Sequence, residues 1–96
     1  MGDITVDLTS RLDENGNLII EQQLTNTTDQ FVSFNCNLTT SKRRRERHQI
    51  FNRGRGTTTM LFTFPNGEEL IGETMWLRVE EIDGPRILNH QIIAHE

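Results

Sequence analysis

Seven of the ten Lys and Arg residues in this 96-residue chain fall between positions 42 and 56. They are Lys42, Arg43, Arg44, Arg45, Arg47, Arg53 and Arg55, and Glu46 is the single acid among them. That segment carries a charge of +6 and the rest of the chain −10, which together give the formal net charge of −4. Arginine is the informative residue type here. Its planar fork binds carboxylate, phosphate or sulfate through two parallel hydrogen bonds, which the point charge of lysine cannot do. Arg43, Arg44, Arg45, Arg47, Arg53 and Arg55 are therefore the candidate binding residues. They could dock a polyanion, either an acidic glycan or a nucleic acid, through charge rather than base contacts. They could instead pair with acids, either on a neighbouring domain or protein or within the chain at Glu68-Glu69, Glu73 and Glu80-Glu81. A solvated turn without a partner is the third reading. Nucleic acid is disfavoured, because the remainder is acidic, only Phe51 interleaves with the arginines, and the chain has no Tyr.

Other chemistry is sparse. Trp76 falls on the polar side of its strand, where partial exposure is expected, and could stack on a sugar ring, but it has no companion Trp or Tyr. Asp13, Asn15 and Asn17 alternate like the start of a calcium loop, yet the glycine stands at 16 and no bidentate acid follows at the required distance. His90 and His95 lack a third ligand in sequence, and His48 is distant from both. Ser10, Ser33 and Ser41 lack a nucleophile elbow, and the lone Cys36 lacks a positioned His. Glu68 and Glu69 are adjacent, so on a strand they would face opposite ways and could not form an acid–base couple. Asn26-Thr27-Thr28 and Asn37-Leu38-Thr39 fit the glycosylation sequon, a pattern that Asn/Thr-rich chains meet by chance. We expect no catalysis, no cofactor and no metal.

The elements that would carry these residues are strands. Ile4, Val6 and Leu8 alternate with Thr5, Asp7 and Thr9. Asn15-Gly16 predicts a tight hairpin with both residues at positive φ. Leu18, Ile20 and Leu24 follow, then the breaker Asn26-Thr27-Thr28-Asp29. Val32, Phe34, Cys36 and Leu38 form the clearest alternation. Ile50-Phe51 predicts a short strand; Met60, Phe62 and Phe64 another; Met75, Leu77 and Val79 a sixth; Ile87 to Ala94 the last, with Leu88 and Ile92 inward. If the basic run continues a strand, Arg43, Arg45 and Arg47 share one face and Lys42, Arg44 and Glu46 the other. The predicted core is Val6, Leu8, Ile20, Val32, Phe34, Cys36, Leu38, Met60, Phe62, Leu77, Val79 and Ile92. At 33% hydrophobic composition that core should be thin. Seven short antiparallel strands with turn signals every 10 to 14 residues predict an all-β, immunoglobulin-like sandwich, and a small barrel is the alternative.

The stretch Leu24 to Phe34, with its Asn26-Thr27-Thr28-Asp29 corner, resembles the second and third strands of bacterial immunoglobulin-like or fibronectin-III-like accessory modules. Glu80 to Asn89 resembles the hairpin that closes them. One cysteine, with Trp76 after it, places the resemblance in the disulfide-free branch. It implies a spacer or protein-interaction module and carries over no site residue. The chain opens straight into a strand-like pattern, with no secretory leader and no stretch of the roughly 20 apolar residues that a membrane span needs. We expect a monomeric module excised from a longer bacterial protein, one that is secreted or at the cell surface. Its partner would be a neighbouring domain or protein with an acidic face, with an acidic glycan as the alternative ligand.

Overall fold

In a computed structural model describing residues 3–96, the chain folds into two antiparallel sheets packed face to face. The strands are β1 (Ile4–Leu12), β2 (Leu18–Asn26), β3 (Val32–Thr40), β4 (Arg45–Arg53), β5 (Gly56–Phe64), β6 (Thr74–Glu81) and β7 (Ile87–Ile93). A short 3-10 helix, Gly67–Leu70, separates β5 from β6. One sheet has the order β1-β2-β5 and the other β4-β3-β6-β7. The fold is the expected all-β sandwich of seven strands.

Period-two alternation builds the core. Leu18, Ile20, Gln22, Leu24 and Asn26 of β2 face Val32, Phe34, Cys36, Leu38 and Thr40 of β3 across the interior, and all are buried. Phe62 and Phe64 of β5 and Met75, Leu77 and Val79 of β6 complete it. Of the residues expected in the core, Leu8, Met60 and Ile92 are only partly buried, because they lie where the two layers open at their rims. Leu70, delivered by the 3-10 helix, and Ala94 close the ends instead.

The β1–β2 turn differs from the tight hairpin expected, and the corner after β2 breaks the chain where expected. The β1–β2 connection spans five residues, and only Gly16 takes positive φ (+80°). Asp13 Oδ1 accepts the backbone N–H groups of Asn15 and Asn17, so a side chain supplies what a two-residue turn would have drawn from backbone geometry. After β2, Asn26 is buried: its Oδ1 accepts from Thr28 and its Nδ2 donates to the Gln30 carbonyl. It organises the corner from inside, which removes it as a glycosylation acceptor in the folded chain.

Candidate functional site

The expected strand Ile50-Phe51 is the middle of a nine-residue strand, β4. Of its side chains only Ile50 is fully buried. Its other inward positions hold Glu46 and His48, so no apolar period marks it, and it becomes a strand by pairing with β3 from Val32↔Arg53 to Thr39↔Arg45. The basic run starts before it. Residues 41–44 turn, and Arg43 takes the left-handed conformation at φ +64°. The expected face of Arg43, Arg45 and Arg47 is thus corrected to Arg45 and Arg47 alone, since the backbone turns at Arg43 rather than extending.

β4 therefore distributes the arginines along a line. Nine strand residues span roughly 27 Å, with Lys42 and Arg43 at one end, Arg45 and Arg47 along the outer face, and Arg53 and Arg55 at the other end. Two of the six are engaged internally. Arg44 donates to the Pro65 carbonyl at 2.7 Å and lies 5.5 Å over the Phe64 ring, tying the β3–β4 turn to the end of β5. Arg55 pairs with Asp29 at 2.5 Å, and both side chains are exposed. Among the described residues, Arg43, Arg45, Arg47 and Arg53 form no ion pair. Of the acids expected as internal partners, Glu73 accepts from Ser41, Glu80 pairs with Arg78 and Glu81 with Arg86, while Glu68 and Glu69 are exposed and form no ion pair with the arginines among the described residues.

The register shows what surrounds the free arginines. Arg47 stands opposite Asn37 of β3, which stands opposite Arg78 of β6, while Gln49, Asn35 and Glu80 make the adjacent row. A shallow depression of about 370 Å³ lies there, lined by Asn35, Asn37, Arg47, His48, Gln49 and Glu80. Gln49 Nε2 donates to Asn35 Oδ1 at 3.1 Å, and Arg78 Nε meets Glu80 Oε1 at 3.2 Å. This face is wide, polar and net positive. Trp76 lies on it too, 47% exposed between Thr39 and Gln91, as its place on the polar side of its strand implied. Arg78 was not among the sequence candidates. Alternation places it on the polar side of β6, but only the pairing of β6 with β3 reveals that it shares a face with Arg47.

The remaining candidates do not assemble. Cys36 is fully buried, and burial pushes its thiol above the usual value despite the Gln22 Nε2 contact at 3.4 Å, so it is poorly suited to act as a nucleophile. His48 Nε2 bonds the Leu61 carbonyl at 2.7 Å and so links β4 to β5. Among the described residues, no three His, Cys, Asp or Glu side chains are placed to hold a metal ion, and no helix is long and apolar enough to cross a membrane. No protein-family model, curated protein or solved structure matches this chain.

Proposed function

We propose that this chain is a non-catalytic, immunoglobulin-like interaction module of a larger bacterial protein, docking an acidic face of a neighbouring domain or protein along β4. The observation that carries the reading is the pair of exposed arginines Arg45 and Arg47 on the outer face of one edge strand, with Arg53 exposed at its end beyond the bulge, all free of acidic partners among the described residues. A solvated turn would not place Arg45 and Arg47 on one strand face. An internal clamp would have drawn on Glu68, Glu69, Glu73, Glu80 or Glu81; the last three are bonded to other groups and the first two pair with none of the arginines among the described residues. The immunoglobulin-like assignment is supported by seven strands divided three and four, with connections passing between the sheets.

The test is an amide NMR titration of the chain with a glutamate-rich peptide, at about 20 mM and about 200 mM salt. Shifts should concentrate on β4 and the facing residues of β3, and should shrink strongly at the higher salt. Arg45→Glu with Arg47→Glu should abolish them, while Arg45→Lys with Arg47→Lys should weaken them by losing the bidentate geometry. Silence at low salt, or shifts confined to another face, would overturn the reading. A response to a sulfated oligosaccharide but not to the peptide would replace the acidic protein with an acidic glycan.

A further inference from the structure

The second edge of the same sheet, β7, has a different character. A free strand edge invites pairing with another chain, and proteins guard against this with charges, bulges or covering groups. The other three edge strands are guarded. β4 carries Arg45, Arg47 and Arg53, and its ladder with β3 is bulged between Val32 and Phe34. β1 carries Asp7 and Arg11. On β5 the Leu61 carbonyl is capped by His48. β7, with the sequence Ile87-Leu88-Asn89-His90-Gln91-Ile92-Ile93, has no Asp, Glu, Lys, Arg or Pro. Its ladder with β6 runs without a register shift from Thr74↔Ile93 to Glu80↔Ile87. Ile87 and Ile93 are 52% and 56% exposed, and Trp76 lies beside this strand, opposite Gln91.

The hydrogen bonds bracketing β7 show which of its backbone groups face outward. Glu81 N–H bonds the Arg86 carbonyl, and Ala94 N–H bonds the Glu73 carbonyl. In an antiparallel ladder the hydrogen-bonded positions alternate. Leu88, His90 and Ile92 therefore turn their backbone groups to β6, and Ile87, Asn89, Gln91 and Ile93 turn theirs to the free edge. The next outward residue, His95, has both its N–H and its carbonyl taken by the Ser10 hydroxyl, at 2.9 and 2.7 Å. The open edge is thus bounded, running from Ile87 to Ile93.

This strand is a palindrome in side-chain chemistry: apolar, apolar, amide, imidazole, amide, apolar, apolar. We infer that β7 pairs antiparallel with β7 of a second copy of this chain, about a two-fold axis through His90. In that register Ile87 meets Ile93 of the other copy, Leu88 meets Ile92, Asn89 meets Gln91, and His90 meets His90. The outward-facing residues then fall on the hydrogen-bonded pairs, which closes roughly eight backbone hydrogen bonds. A register centred on Asn89 or Gln91 would set an isoleucine against an amide. β7 brings no Asp, Glu, Lys or Arg to the pairing, and the two four-stranded sheets become one of eight strands. This association replaces the monomer expected from sequence. A single strand pair is a small interface of the weak, reversible class.

Sedimentation equilibrium of the chain from about 10 µM to about 1 mM should show the mass rise from 11.1 kDa toward twice that value. Asn89→Lys with Gln91→Lys sets like charges opposite each other in this register and should leave a folded monomer with a slightly lowered melting midpoint, since both positions are exposed but Asn89 stands opposite Arg78. Mixing that variant with Asn89→Glu plus Gln91→Glu should restore the doubled mass as a heterodimer. His90→Cys should cross-link two copies on mild oxidation, because a non-hydrogen-bonded pair brings Cα atoms to about 4.5 Å, within disulfide range. Asn89→Cys should not, since its two copies would lie about 8 Å apart. A monomer at every concentration would overturn the inference. So would a dimer indifferent to the lysine variant, or one in which His90→Cys fails to cross-link.

Discussion

Gln22 is a polar side chain in the middle of an inward-facing row of the sandwich. It occupies an inward position of β2 between Ile20 and Leu24, is fully buried, and reaches across to Cys36 on the opposite sheet. Its Nε2 donates to Cys36 Sγ at 3.4 Å, a weak bond, and its Oε1 meets no protein donor. A buried carbonyl without a partner costs roughly 1 to 3 kcal/mol, more than the bond to sulfur returns. Methionine has nearly the same length and shape, adapts its rotamers to irregular gaps and brings no polar atom. Gln22→Met should therefore stabilise the fold by roughly 1 to 2 kcal/mol. In a domain of this size each kcal/mol moves the melting temperature by about 4 to 8 °C, so the midpoint should rise by roughly 5 to 15 °C. Urea denaturation followed by circular dichroism is the assay, with an increased midpoint at unchanged slope as the signature of a pure stability change. A variant no more stable than the parent would show that the amide oxygen is satisfied in the native state and that the hydrogen-bond accounting of this core is wrong.

Two further outcomes follow from local geometry. Gly67→Ala would drive a Cβ into the Leu18 backbone nitrogen, at the point where Gly67 N–H bonds the Gly16 carbonyl, and neither can yield; a loss of at least ~2 kcal/mol is expected. Gly72→Ala meets nothing within 4 Å and costs only its positive φ of +86°, about 1 kcal/mol, so equal losses in parallel urea melts would refute the packing argument. In acid, the side-chain bond from Arg86 holds the Asp3 carboxyl below its usual range, and the backbone and side-chain bonds from Asn17 do the same for Asp13. Both contributions are complete above the ordinary carboxylate value near 4 and are lost as pH falls through the depressed folded values. Asp3→Asn and Asp13→Asn should thus be less stable than the parent near neutral pH and converge on it in acid, once the pH has fallen through the depressed folded values. A gap that persisted in acid would show that the carboxylate charge is not its source.

The alternating strands were readable because their core faces are apolar: Val32, Phe34, Cys36 and Leu38 declare β3 without any partner. β4 was not, since Glu46 and His48 occupy inward positions that a hydropathy pattern cannot recognise as inward. Its length comes from pairing with β3 and from the His48 bond to β5, which are tertiary causes. The same limit hid Gln22, Asn26 and Thr40 from the expected core: each fills an inward position with a polar group bonded by partners distant in space or by its own turn. For the arginines, type and number were legible, while the line they form was not. The left-handed Arg43 removes one residue from the face, Arg44 is drawn onto Phe64 and Pro65, and pairing across β3 brings in Arg78.

The two proposed surfaces are geometrically compatible, and their combination has a consequence that neither has alone. β4 and β7 are opposite edges of one sheet, separated by β3 and β6, so a partner along β4 does not compete with a second copy along β7. Joining two copies through β7 leaves a β4 strand at each outer edge of an eight-stranded sheet, roughly 34 Å apart at the usual strand spacing before twist. The two-fold axis makes these arginine lines antiparallel. A single β4 edge with Arg45 and Arg47 on its outer face and Arg53 at its end binds an acidic face weakly, because exposed ion pairs contribute little each and salt screens them. Two lines on one rigid sheet turn the second contact into an intramolecular event, so that a partner repeating its acidic face at that spacing gains avidity without any new contact. Weak self-association and weak docking would then reinforce one another. A partner bearing two such faces would favour the dimer by the same factor by which the dimer favours the partner.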